Sequence, residues 1–455
     1  MYPVKMRAPA DSYTETKAGD PRGACHHLLQ PFACLIVDLA MIALIAKVCV
    51  ILMMPLPMLT QTEPFFDPDV DRLADEFIAS RGFIPEIHSL VTNDGYQISM
   101  HRILHPYTRA TRQPILFLSV DGGSGLEWLR NSPGGSVNES TDFVGPNIGF
   151  ECAKRGYDVW LFNYRGTPQY AYLHTSYDAD HDLAYWDYTL DDQAFFDVAA
   201  AIDYVRRVTG YNKIAMVAIG RATTMYFFLA SKVHRFNHIV QPFIGLSPVF
   251  SQSHSSVIRS RGRAGVQAEM ELFKRKRGQR LVTPILQLLK PFTCRDKVTQ
   301  SLVCNLFLYV LILQYMGGDV GSLNYDRLSV YVSTGFYLSG SSWQEAQQLS
   351  HSLSDRITMF DVSPEVNVQR YGSIYPPEYF PERIRNSEMH FISATHDMIY
   401  DQEDLNNLKQ RLGTRVRSEV VIPIPWSTMS FQDGTPDDVI RWVNTPILDV
   451  LAMYG

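Results

Sequence analysis

The stretch "KIAMVAIGRATTMYFFLA", Lys213 to Ala230, decides the fold. Ile214 to Ile219 is an apolar run of the length and residue type of a buried strand. Gly220-Arg221-Ala222 forms a tight corner, and an apolar helical pattern follows at once. A strand, a sharp elbow and a helix in this order can lift one side chain clear of the carboxyl edge of a sheet. The apex residue here is Gly220, which has no side chain to lift.

Working outward, "PILFLSV" (Pro114 to Val120) and "YDVWLFNY" (Tyr157 to Tyr164) are further short apolar runs, each closed by a turn signal. "HSLVTNDGYQISMHRIL" (His88 to Leu104) places Asn93-Asp94-Gly95 between two alternating segments, a hairpin signature. "TLDDQAFFDVAAAIDYVRRVTG" has helical spacing, with Phe195, Val198, Ala199, Ile202 and Val205 assigned to one face. Asp191 and Asp192 open it, Arg206 and Arg207 close it, and Gly210 stops it. "HIVQPFIGLSPVF" (His238 to Phe250), "SEMHFISATHDMIYDQEDL" and "EVVIPIP" (Glu419 to Pro425) read as later strands. "DDVIRWVNTPILDVLAMYG" reads as a closing helix. Strands alternating with helices predict an α/β domain, its mostly parallel sheet covered by helices on both faces.

From Ser251 the composition changes. A basic stretch containing Lys274-Arg275-Lys276-Arg277 precedes an apolar helix candidate, then aromatic and Pro-rich sequence to Phe380. This reads as an inserted helical cap, and the four basic residues as a solvated helix face, with a processing site or an anionic-lipid patch as alternatives. The expected organisation is a polar N-terminus and targeting segment over 1–59, and a first core part over 60–250. The cap spans 251–385 and the last core part 386–455.

The chain has 455 residues, is 46% hydrophobic and 19% charged, and carries a net charge of −6. These values suit a large globular core and exclude a nucleic-acid binder, which would need a basic face. The apolar segment from Pro31 to Leu59 is long enough to span a bilayer, but Lys47 would cost about 2.5–3.5 kcal/mol there. It serves either as a cleaved signal peptide, with initiation at Met41, or as a retained anchor that associates the chain with a membrane. Either assigns the chain to the secretory pathway, whether extracellular, lysosomal or anchored with its bulk in the lumen. Of six cysteines, Cys294 and Cys304 are close enough in sequence for a local disulfide, the alternative being two buried thiols. Asn138-Glu139-Ser140 is a glycosylation acceptor.

From Asp67 onward the chain resembles the acid (gastric and lysosomal) lipase family of α/β-hydrolases. The resemblance rests on "DPDV", "VTNDGYQISMHRI", "GYDVWLFNYRGT", "AIDYVRRVTGYNKIAMVAIGRATT", "NYDRLSVYVS" and "PPEYF", in family order. It implies an α/β-hydrolase fold, hydrolysis of triglycerides and sterol esters by a Ser/Asp/His triad, and a cap disulfide where Cys294 and Cys304 stand.

Residue by residue, the resemblance places the triad poorly. The family elbow, Gly-His-Ser-Gln-Gly, corresponds to Ala218-Ile219-Gly220-Arg221-Ala222, so the nucleophile position is Gly220. The acid position, Asp397, is retained within "ATHDMIYDQEDL". The family histidine falls on Thr428 in "WSTMSF", and no histidine follows His396 in the chain. The oxyanion-hole region corresponds to Asp121, Gly122 and Arg221, where the Asp121 carboxylate would oppose a developing negative charge. Thr223 and Thr224 read as structural residues of the helix start. Losing serine or histidine from such a triad costs about 10⁶ in kcat. The expectation is therefore a catalytically inactive lipase-like protein of lipid metabolism. It would bind neutral lipid or a fatty-acyl ester in an apolar cleft, or a protein partner, with no cofactor and no metal. The alternative is an active lipase or carboxylesterase working through a non-standard site.

Overall fold

The computed structural model describes residues 67–107, 109–120, 123–132, 145–256, 320–327, 330–331, 342–354, 356–397 and 399–455. Asp121, Gly122, Asn138, Lys274 to Arg277, Cys294, Cys304 and the N-terminal segment lie outside the described residues. Nine strands form one sheet: β1 (Ile84–Val91), β2 (Tyr96–Leu104), β3 (Pro114–Leu118), β4 (Asp158–Asn163), β5 (Leu173–His174), β6 (Ile214–Ile219), β7 (Val240–Leu246), β8 (Met389–Ala394) and β9 (Val416–Ile422). Their order is β1-β2-β4-β3-β6-β7-β8-β9, with β5 pairing β2 at the side. β2 runs antiparallel to β1 and β4, and β3, β4, β6, β7, β8 and β9 run parallel to their neighbours. A mostly parallel sheet in this order, begun by an antiparallel hairpin, is the α/β-hydrolase fold.

The apolar runs become central strands because both faces of a parallel sheet are covered. Every residue of β3, β4 and β6 is buried, whereas β1 at the sheet edge alternates between exposed and half-buried. The strand period of two divides these side chains between two cores. Leu116, Leu118, Met216 and Ala218 join one, and Ile115, Phe117, Ala215 and Val217 the other. The second core takes α1 (Ala74–Ser80) and α2 (Ile148–Lys154). The first takes α3 (Ala199–Thr209) and α4 (Arg221–Lys232). Between β7 and β8 lie α5 (Trp343–His351) and α6 (Pro364–Tyr371), and later come α7 (Gln402–Leu412) on the first core and α8 (Thr445–Ala452) on the second.

Three details depart from the periodicity of the sequence. Gln193–Val198, leading into α3, is π-helical. The wider turn rotates the buried face, so Ala194, Val198, Ala201, Ile202 and Val205 are buried while Phe195 and Ala199 are only half-buried. Asp191, expected simply to complement a helix dipole, is buried and accepts from Phe360 N–H (2.7 Å), Tyr379 Oη (2.6 Å) and Gln348 Nε2 (3.1 Å). It ties three points of the chain between β7 and β8 to the core. The last strand spans Val416–Ile422 rather than Glu419 to Pro425.

The "DPDV" stretch is tied to Arg327, which lies between β7 and β8. Arg327 Nη1 and Nη2 donate to Asp67 Oδ2 and Asp69 Oδ2, each at 2.6 Å, and Arg81 grips Asp69 at 2.8 and 2.6 Å. Burial pushes the Asp69 carboxyl up, but Arg81, Arg327 and Arg72 together hold it at about 2.

Candidate active site

β6 ends at Ile219 and α4 starts at Arg221, so Gly220 alone makes the elbow, at φ 56° and ψ −128°. An L side chain there would store about 1–3 kcal/mol of backbone strain, which glycine avoids. The corner is held from both sides: Gly220 N–H donates to Leu246 O (2.9 Å), and Thr223 Oγ1 donates to Gly220 O (2.6 Å). Thr223 Oγ1 also accepts from Val249 N–H (2.9 Å), and Thr224 Oγ1 donates to Val249 O (2.8 Å). Both threonines therefore knit the start of α4 to the chain after β7.

The space above the apex is occupied. A Cβ built on Gly220 would lie 2.7 Å from Tyr400 Oη, 2.9 Å from Cε2 and 3.0 Å from Cζ. Tyr400 belongs to the loop after β8, and its N–H donates to Asp397 Oδ1 (3.2 Å), as does Ile399 N–H (3.0 Å). The acid loop thus brings Asp397 near the elbow and lays the Tyr400 ring over it.

Asp397 is buried, and its second oxygen is also engaged. Thr428 Oγ1 donates to Oδ2 at 2.8 Å and Ser247 Oγ at 2.9 Å. Burial raises the Asp397 carboxyl above its ordinary range, against the lowering by Thr428, Ser247 and the two amides. Thr428, Asp397 and Ser247 form one hydroxyl–carboxylate–hydroxyl cluster at the carboxyl ends of β7, β8 and β9. Ser247 holds φ 43°, an uncommon conformation for a residue with a Cβ. His396, next to Asp397, is exposed and hydrogen-bonds through Nδ1 with Thr395 Oγ1 (2.8 Å), so it takes no part in the cluster.

Arg221 turns toward α5, Nη2 donating to Glu345 O at 3.5 Å. Its side chain helps line a cavity of about 20 Å³ with Leu190, Thr224, Phe228 and Val249. That is room for about one water, far less than an acyl chain needs. Past the undescribed Asp121 and Gly122, the loop resumes at Gly123, where an added Cβ would lie 2.6 Å from both carboxylate oxygens of Glu127. Burial pushes the Glu127 carboxyl up to about 7, with Arg130 opposing and Asp433 adding to the rise.

Three of these residues escape a reading of the sequence alone. Tyr400 and Glu127 have no spacing signal, because only the folded loops place them against glycines. Ser247 lies in a conspicuous Ser-Pro-Val, but its link to Asp397 spans the entire insertion.

The strand order and the elbow define an α/β-hydrolase scaffold. No family model matches the chain. Among curated proteins, gastric triacylglycerol lipase of Bos taurus is 26% identical over 359 residues, covering 77% of this chain and 84% of that protein. Lysosomal acid lipase/cholesteryl ester hydrolase of Rattus norvegicus is 27% identical over 370 residues, 78% of this chain and 86% of its own. Lipase member J of Homo sapiens is 25% identical over 392 residues, 83% and 98% respectively. The chain is thus similar, over most of its length, to gastric and lysosomal acid lipases and to other lipases.

Proposed function

We propose that this is a lipase-like protein that does not hydrolyse esters and that acts by binding a neutral lipid or a protein partner. In this reading Gly220 stands at the nucleophile position, Asp397 at the acid position and Thr428 at the histidine position. The observation that carries it is the elbow itself: the apex has no side chain, and the Tyr400 ring fills the space one would need. Thr428 supports the same conclusion, since a hydroxyl bound to Asp397 is a poor proton acceptor near neutral pH. With neither nucleophile nor base, the usual acyl transfer loses its two obligatory partners. The lipid half of the proposal rests on the names of the relatives, which act on triacylglycerol and cholesteryl ester.

The proposed setting is the secretory pathway, as for gastric and lysosomal relatives, with the N-terminal segment as signal or anchor. Asn138 glycosylation and a Cys294–Cys304 disulfide belong to the same proposal and are read by glycosidase shift and by mass under non-reducing conditions. The function is tested by incubating the purified chain with labelled triglyceride and cholesteryl ester, and by extracting bound lipid for mass spectrometry. Turnover that Asp397→Asn abolishes would overturn the proposal.

One observation favours the alternative, a lipase or carboxylesterase with a non-standard site. Ser247 Oγ lies 2.9 Å from Asp397, just past the end of β7, the strand next to the elbow strand. A fluorophosphonate adduct mapped to Ser247 would establish that alternative. No adduct is expected, because Ser247 is buried and its hydroxyl proton is directed to a carboxylate that already accepts three other hydrogen bonds.

A further inference from the structure

At the end of α4 remote from the elbow lies a second recess, of about 350 Å³, lined by Ser231, Lys232, His234, Glu382, Arg383 and Arg385. α4 has 12 residues, so this recess is roughly 18 Å from Gly220, at a rise of about 1.5 Å per residue. Its lining is polar and mostly cationic.

The charges are unbalanced. Lys232 is half-buried; its Nζ donates to Glu378 O (2.9 Å) and lies 5.0 Å from the centre of the Tyr379 ring. Neither partner is an anion. Burial first and the nearby Arg383 guanidinium second hold the Lys232 ammonium below its ordinary pKa, against the charges of Asp191 and Glu378. Arg383 rests over the Phe380 ring at 4.7 Å, and both Arg383 and Arg385 are exposed.

The nearby acids are committed elsewhere. Glu382 turns to Arg411, at 2.6 and 3.1 Å, and the Glu378 carboxylate to Arg356, at 2.8 Å. Asp191 is buried under its three donors. Among the described residues no carboxylate lies within ion-pair distance of Lys232, Arg383 or Arg385.

We propose that this recess binds a phosphate monoester, with Lys232, Arg383 and Arg385 as its ligands. Lys232 supplies a point charge at the floor, and the two arginine forks match the oxygens of a tetrahedral dianion. The volume falls in the small-molecule range, leaving room for a glycerol or polyol on the phosphate. The carbonyl end of α4 and the Glu382 carboxylate, which is paired with Arg411, are the unfavourable elements, and three cations outweigh them. This site is independent of whether the elbow performs chemistry.

Titration calorimetry of the full chain with inorganic phosphate, and flotation with phosphatidylcholine vesicles with and without phosphatidic acid, separate a free phosphate from a lipid headgroup. Arg383→Gln and Arg385→Gln are each expected to weaken binding about tenfold, the loss of one charge-assisted contact. Arg417→Gln, which removes an exposed arginine outside the recess, should leave binding unchanged. Binding in the phosphate arm supports a soluble ligand; binding only to phosphatidic acid vesicles supports a headgroup. No binding in either arm, or an equal loss in Arg417→Gln, would overturn the proposal.

Discussion

Gly220→Ser probes the elbow most directly, because two separable costs act there. The first is backbone strain: at φ 56° and ψ −128° a residue with a Cβ loses about 1–3 kcal/mol. The second is steric. The new Cβ would lie 2.7 Å from Tyr400 Oη, so the ring must swing away, although its backbone is pinned to Asp397 through the Tyr400 N–H at 3.2 Å. Overpacking of this kind costs about 1–3 kcal/mol. Gly220→Ser should therefore lower the free energy of unfolding by about 2–6 kcal/mol. Only the steric part depends on Tyr400. In a double-mutant cycle with Tyr400→Ala, followed by urea unfolding, the pair should be about 1–3 kcal/mol more stable than the sum of the single changes. Additivity within about 0.5 kcal/mol would refute the claim that Tyr400 occupies the nucleophile's space.

Gly220→Ser/Tyr400→Ala/Thr428→His should hydrolyse a short-chain p-nitrophenyl ester above background, while Gly220→Ser alone should not. A folded but inert triple variant would locate a further loss in the loop after β3. Glu127 sets a pH dependence: its carboxyl is raised from an ordinary 4.5 to about 7, so its neutral form is favoured by folding. Its contribution, about 3 kcal/mol, is complete below about pH 4.5 and lost as pH rises through about 7. Thermal unfolding across that window should show stability falling toward neutral pH, and Glu127→Gln should flatten the slope. Asp191→Ala strips the acceptor from Phe360 N–H, Tyr379 Oη and Gln348 Nε2, at a cost of about 3 kcal/mol or more. Limited proteolysis should then cut faster between Trp343 and Phe380, and unchanged cleavage would refute the tether.

The sheet was legible because its strands are apolar runs punctuated by Gly, Pro and Asp, and because the Asn93-Asp94-Gly95 turn requires a hairpin. The buried face leading into α3 was misread at Phe195 and Ala199, since a π turn leaves no trace in a 3.6-residue pattern. At the site, Gly220, Asp397 and Thr428 could be singled out by resemblance and chain order. What could not be read was how they are filled. The ring of Tyr400 against Gly220 and the hydroxyl of Ser247 against Asp397 are contacts between segments separated by scores or hundreds of residues. No local periodicity encodes them.

On the proposal that Gly220 stands at the nucleophile position and Thr428 at the histidine position, the two residues make chemical sense together. A histidine beside Asp397 is useful only if a hydroxyl at the apex can give it a proton; otherwise it is a buried base beside a buried acid, an arrangement that invites water and charge. Thr428 in its place donates one hydrogen bond to Asp397, and Ser247 donates another, so the carboxylate stays satisfied without an imidazole. Asp397 organises a loop, since its other oxygen fixes the amides of Ile399 and Tyr400. On that argument Asp397→Ala should cost stability, about 2–4 kcal/mol from four donors losing their acceptor, and should free Tyr400 from the elbow. A stable Asp397→Ala variant with Tyr400 fluorescence and proteolytic resistance unchanged would mean that the loop is held by something other than Asp397.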